Sequence, residues 1–264
     1  MQVSKVMLHY GEEPFLTNGG ASGAIFFAGC NLKCVYCQNH QISNGSGKNI
    51  TTNTLINLFK QLENAGANNI DLVTPTHYAD LIFDALSKYK PKVPVIYNCG
   101  GYETEETIAK LCKVIDIFLF DLKYYDNNLA IKYSKAPNYF QFATKAIQTA
   151  IKLKPNIYSG SQLIQGVAIR HLCLPSHTKD SLKILDWIAS VNKALPVSIM
   201  SQYVPMHNAN SFSELNHSLK PLEYKVVVNY AKKLGLNNAF VQELTSNTTQ
   251  LLPNFNIQDK QFKY

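Results

Sequence analysis

Short apolar runs alternate with longer amphipathic segments along most of this chain. AIFFA at 24–28, IDLVT at 70–74, PVIYN at 94–98, IDIFLF at 115–120, VAIRHLCL at 167–174 and VSIMSQY at 197–203 are rich in branched and aromatic residues and bounded by turn formers, the pattern of buried strands. Apolar residues recur at helical spacing over 52–65, 79–89, 104–113, 139–153, 179–192 and 223–235. Six successive βα units predict a parallel sheet, because parallel neighbours need the crossover that a helix supplies. A complete eight-stranded barrel takes about 250 residues in eight units. This chain has 264 residues but six units, so the expected fold is α/β, a partial (β/α)6 barrel of the TIM type. An open doubly wound sheet is the alternative, although no glycine fingerprint of the dinucleotide type follows the first strand. Residues 1–245 are expected to form one core domain with a short N-terminal extension, and the polar stretch 246–264 an extended tail.

Composition narrows the setting. Hydrophobic residues make up 46% of the chain, which supplies a sizeable core and excludes general disorder. No run approaches the roughly 18 apolar residues of a membrane span, and MQVSKVMLHYGEEP lacks the apolar centre of a secretory signal. A soluble, cytoplasmic protein is expected, without membrane association, its six cysteines suited to metal binding or catalysis rather than disulfides. The net charge of +7 does not indicate nucleic acid, because the lysines are scattered with no block of five. Of 25 basic residues only Arg170 is arginine, a single planar, two-pronged donor in a chain that otherwise uses lysine.

The segments after the strands, GCNLKCVYCQNH, PTHY, CGGYE, DLKYY, LPSH and VPMHNA, concentrate polar, glycine and cysteine residues where the loops of a βα fold converge on one mouth. Cys30, Cys34 and Cys37 stand at C-x3-C-x2-C spacing in the first of them, so that a tight loop can turn three thiolates to one point. Thiolates select zinc, copper(I) or iron–sulfur. His40 could complete a Cys3His zinc site, which would make the chain a zinc-binding interaction module. An iron–sulfur cube on three thiolates would instead leave one iron open.

GCNLKCVYCQN resembles the signature of radical S-adenosylmethionine (SAM) enzymes, with the aromatic Tyr36 before the third cysteine. ASGAIFFAGCNLKCVYCQNHQIS, LVTPTHY, VIYNCGGYE, DIFLFDLKYY, IRHLCLP and SQYVP, over residues 12–245, resemble a branch related to pyruvate formate-lyase activating enzymes. The resemblance implies a [4Fe-4S] cluster on Cys30, Cys34 and Cys37. Its open iron would chelate SAM, and reductive cleavage would release a 5′-deoxyadenosyl radical that abstracts hydrogen from a substrate. It also implies an electron donor such as flavodoxin or ferredoxin. The substrate is left open between a protein, as in activation of a glycyl radical enzyme, and a small molecule, peptide or RNA.

On the same resemblance Tyr36 lies near the adenine, and Asp121 and Lys123 in the SAM pocket, with Lys123 able to meet the SAM carboxylate. His207 is expected near the ribose, and Arg170 close to SAM, paired with the SAM carboxylate or with Asp121. Many members carry Gly-Gly-Glu after the second strand. This chain has Thr74-Pro75-Thr76-His77 instead, so Thr74 and Thr76 are candidate acceptors for the SAM amine, ahead of His77. Asn98 offers an amide to ribose hydroxyls, beside Gly100 and Gly101. Cys99, Cys112 and Cys173 read as packing, and His171, alternating with Arg170, as a structural histidine.

Overall fold

A computed structural model describes residues 1–243, 253–255 and 259–264. In chain order the strands are β1 (Gln2–His9), β2 (Ser22–Phe27), β3 (Lys48–Asn49), β4 (Asn69–Val73), β5 (Val95–Cys99), β6 (Ile117–Asp121), β7 (Ile157–Ser159), β8 (Gln162–Leu172), β9 (Val197–Met200) and β10 (Ala239–Val241). The helices are α1 (Pro14–Thr17), α2 (His40–Ser43), α3 (Thr52–Asn64), α4 (Ala79–Lys88), α5 (Glu105–Leu111), α6 (Asn127–Ser134), α7 (Tyr139–Leu153), α8 (Thr178–Val191) and α9 (Pro221–Leu234). None is long and apolar enough to cross a membrane among the described residues.

The sheet order is β10-β9-β8-β6-β5-β4-β2-β1-β3, with β7 antiparallel on β8. From β2 to β10 every pairing along that order is parallel, whereas β1 and β3 are added antiparallel. All six expected strands are present in one parallel sheet, the wall of a partial barrel. The N-terminal extension is itself a strand, β1, and β10 adds a further parallel strand of three residues, too short to stand out as an apolar run.

Alternation along the strands sorts side chains to two faces. Tyr97, Phe118, Phe120 and Ile169 pack outward under the helices in the main core. Ile96, Ile117, Leu119 and Ala168 face inward and enclose Phe15 and Leu16 of α1 in a separate cluster. The short α1 therefore plugs the barrel. Pro14 opens it at N1 and Asn18, in the left-handed region at φ 48°, closes it. The Leu16 carbonyl accepts hydrogen bonds from Asn69 Nδ2 and Gln162 Nε2, both at 2.9 Å, which tie the plug to two strands.

Within the stretch expected to be an extended tail, 246–252 and 256–258 lie outside the described residues. Lys5 Nζ donates to the Asn254 carbonyl at 2.6 Å, Phe255 packs edge-on against Phe26, and Lys263 exchanges two hydrogen bonds with Gln61.

Leu16 is fully buried inside the barrel. Leu16→Ala is expected to lower the unfolding free energy by about 3 kcal/mol, as read from denaturant titration of the two proteins.

Candidate active site

The inward positions next along each strand from the plug cluster are polar. Asp71 on β4, Asn98 on β5, Asp121 on β6 and Arg170 on β8 all line one cavity of about 250 Å³, which also reaches Cys30, Cys34, Cys37, Tyr36, Thr74 and Lys123. Arg170 is the hub. Its Nε donates to Asp121 Oδ1 at 2.9 Å, its Nη2 to Asn98 Oδ1 at 2.6 Å, and its Nη1 lies 3.6 Å from Glu12 Oε1. The pairing of Arg170 with Asp121 matches one of the two partners expected for it. Asn98 turns its amide nitrogen to Asp71 Oδ2 at 3.1 Å. Lys123 Nζ donates to the other Asp121 oxygen at 2.6 Å, although it stands two residues on, past the end of β6.

Burial alone would raise the Asp121 carboxyl, but the charges and hydrogen bonds of Arg170 and Lys123 outweigh it and hold Asp121 below the usual carboxylate range. Burial also opposes the charge on Lys123, and the Asp121 charge more than restores it. These three groups are therefore ionised together.

The cysteine loop follows β2 through Gly29, whose φ of +89° lies in the left-handed region. A side chain there would also crowd His77, whose Nε2 is held by the Ala28 carbonyl at 2.7 Å. Much of the loop's shape comes from α6. The amides of Lys33 and Val35 donate to the carbonyls of Ser134 and Tyr133 at 3.0 and 2.8 Å, and Ser134 Oγ donates to Cys34 Sγ at 3.0 Å. Tyr36 is buried, and its hydroxyl joins a chain through Tyr124 (2.5 Å) and on to Ser134 (2.6 Å).

Burial raises all three loop thiols, and for Cys37 the charges of Cys34 and Cys30 add to it and push the thiol up to about 12. Three mutually repelling, desolvated thiols become thiolates when a metal centre supplies the balancing charge. Among the described residues no three His, Cys, Asp or Glu side chains gather closely enough to hold a single ion. His40 Nδ1 faces the Cys37 carbonyl at 3.2 Å rather than a thiol. The loop thus fits a cluster, whose several iron corners take one thiolate each, better than a four-ligand zinc ion.

Two expected residues stand outside the cavity. Thr76 turns its hydroxyl to the buried Glu103 at 2.5 Å, away from the thiols. His207, with φ 54°, stacks its ring on His40 at 5.1 Å between centroids. Thr74 does line the cavity, its hydroxyl donating to the Phe27 carbonyl at 3.2 Å. Cys112 and Cys173 are buried packing, and Cys99 is buried at the cavity wall. His171 is a structural histidine, bound to the Leu122 carbonyl and Ser181 Oγ.

Sequence reasoning missed Glu12, Glu13 and Asp71. Asp71 carried a visible signal, a lone acid inside the apolar run NIDLV, and Glu12-Glu13 stands immediately before the proline that opens α1.

The model of the Radical SAM superfamily matches residues 24–188. An uncharacterised protein of Methanocaldococcus jannaschii is 31% identical over 244 residues, covering 89% of this chain and 68% of that protein. Solved structures share the fold. Methylornithine synthase gives a TM-score of 0.56 at 14% identity, over 83% of this chain and 63% of that one. The FeFe-hydrogenase maturase HydG from Carboxydothermus hydrogenoformans gives 0.56 at 15%, over 85% and 54%. Streptococcus suis SuiB bound to S-adenosylmethionine gives 0.53 at 15%, over 81% and 48%. The chain thus spans less than two thirds of the length of each of these structures.

The raised thiol predicts low reactivity in metal-free protein. At pH 8 Cys37 should alkylate with iodoacetamide about a hundredfold or more slowly than a free cysteine, because its thiolate fraction is that much smaller. Peptide mass mapping over time measures it.

Proposed function

This chain belongs to the radical SAM superfamily, and from that premise we propose that it is an enzyme that abstracts hydrogen from a substrate held in the barrel cavity. The superfamily uses a [4Fe-4S] cluster and SAM, which when bound supply reductive cleavage of SAM and the hydrogen-abstracting radical. The observation that carries the reading is the single cavity lined by the three thiols and by the ionised set Asp121, Lys123 and Arg170.

In this reading Cys30, Cys34 and Cys37 hold the cluster. Tyr36, Thr74, Asn98, Lys123 and Arg170 shape the SAM site, with Asp121 fixing both cations beside one another. Arg170 and Lys123 are the groups with the charge to meet the SAM carboxylate. Burial of these groups keeps water from the reacting atoms. A small redox protein such as flavodoxin or ferredoxin is the proposed electron donor, and the six unpaired cysteines suit a reducing cytoplasm. Activation of a glycyl radical enzyme is a finer form of the reading, carried by the motif resemblance.

Anaerobically purified protein should contain iron and sulfide near four per chain, lose both in Cys34→Ala, and form 5′-deoxyadenosine from SAM when reduced with dithionite. Stoichiometric zinc, or no 5′-deoxyadenosine from cluster-loaded protein, would overturn the reading. Arg170→Lys keeps the charge but cannot span Asp121, Asn98 and Glu12 together. It is expected to weaken SAM binding about tenfold, roughly 1.4 kcal/mol, in equilibrium dialysis. Unchanged affinity would return Arg170 to a purely structural role.

A further inference from the structure

The cavity carries more acid than its cations neutralise. Glu12, Glu13, Asp71 and Asp121 line it against Arg170 and Lys123. Asp121 takes both cations, one on each oxygen. Arg170 then spends Nη2 on Asn98 and reaches Glu12 only at 3.6 Å. Among the described residues no ion pair reaches Asp71 or Glu13.

Asp71 is the more telling of the two. It is 1% exposed, its Oδ2 accepts from Asn98, and its Oδ1 has no hydrogen-bond partner although it belongs to a side chain that lines the cavity. A buried carboxylate oxygen with neither donor nor cation is costly and uncommon. In the ligand-free protein the surplus is met by protonation. Burial, followed by the charge of Glu12, pushes Glu13 up to about 7 and Asp71 well above its ordinary value, the latter also through a proton shared between the Asp71 and Glu12 carboxyls, against the pull of Arg170. Asp71 and Glu13 make no ion pair with Arg170, which Asp121 already neutralises and Glu12 approaches at 3.6 Å, so their gathering calls for another positive group.

That group is not an inorganic ion by geometry, since no three of the described acids close around one point. An ammonium or guanidinium spreads its donors over a wider reach, near 2.8 Å to each oxygen. We propose that Asp71, with Glu12 and Glu13, receives a protonated amine or guanidinium of the substrate, so that the substrate class is an organic cation. The inference rests on the cavity being the radical SAM site. It adds what the fold does not specify, the charge of the molecule that enters. SAM carries an ammonium of its own, and the test separates the two sources.

Cluster-loaded protein with SAM bound is titrated calorimetrically with n-butylammonium and n-butylguanidinium chlorides, and with butyramide and sodium butyrate as neutral and anionic counterparts. The cations are expected to bind at least tenfold more tightly than either counterpart. Asp71→Asn should reduce their affinity tenfold or more while leaving the Kd of SAM within twofold, and Glu13→Gln, which keeps the test open should the first variant fail to fold, should act the same way. No cation binding, equal binding of butyramide, or cation affinity unchanged in the variants would overturn the proposal. So would a loss of SAM affinity in Asp71→Asn, which would assign the carboxylate to the SAM amine. Failure of the underlying reading shows separately, as protein without iron that makes no 5′-deoxyadenosine.

Discussion

A guanidinium set into a parallel sheet gives up much of its water, and the donors it turns into the sheet need protein partners, because an unpaired desolvated charge is among the costliest defects a fold can carry. Arg170, 16% exposed, finds them in three directions: hydrogen bonds to Asp121 on the adjacent strand and Asn98 one strand further, and an ion pair at 3.6 Å with Glu12 on the segment leading into the plug. Each partner is thereby placed. Register brings Asp121 opposite Arg170, the same alternation sends Asn98 inward, and α1 seats Glu12 in the barrel. The inner surface of the wall is organised around one side chain, and removing any partner would leave the others incompletely satisfied.

Much of this was legible in the chain. The six βα units could be read because each parallel strand is largely buried on both faces and so appears as a predominantly apolar run, and the thiols because their spacing admits few other uses. Asp121 was legible as a charge at a strand end, where side chains face a mouth, and Arg170 as the one guanidinium, set inside an otherwise apolar strand. What escaped was fixed by contacts distant in sequence. Nothing local marks α1 as a plug, since four residues cannot show a helical period, and its role depends on the barrel interior being wide enough to receive Phe15 and Leu16. The turning of Thr76 toward Glu103 was hidden for the same reason, because the partner comes from the following loop. Asp71 was the avoidable omission: an acid within an apolar strand is the same anomaly as Arg170 with the sign reversed.

The thiols and the lumen acids are two versions of one electrostatic condition. Cys37 and Asp71 each bear negative charge when they work, and burial raises both above their ordinary values in the bare protein. Burial thus keeps each ready for a specific positive partner, at the cost of some stability that binding restores.

The hold of α6 on the cysteine loop has a consequence for how the protein is made. The loop's shape is set by carbonyls and a hydroxyl about a hundred residues downstream, at Tyr133 and Ser134. A nascent chain emerging from the ribosome therefore exposes all three cysteines well before the segment that shapes their loop has been synthesised. Iron delivered at that point would meet flexible thiols able to bind in unproductive ways. Productive loading belongs after α6 has met the loop, so the thiols wait through about a hundred further residues of synthesis for the scaffold that shapes their site.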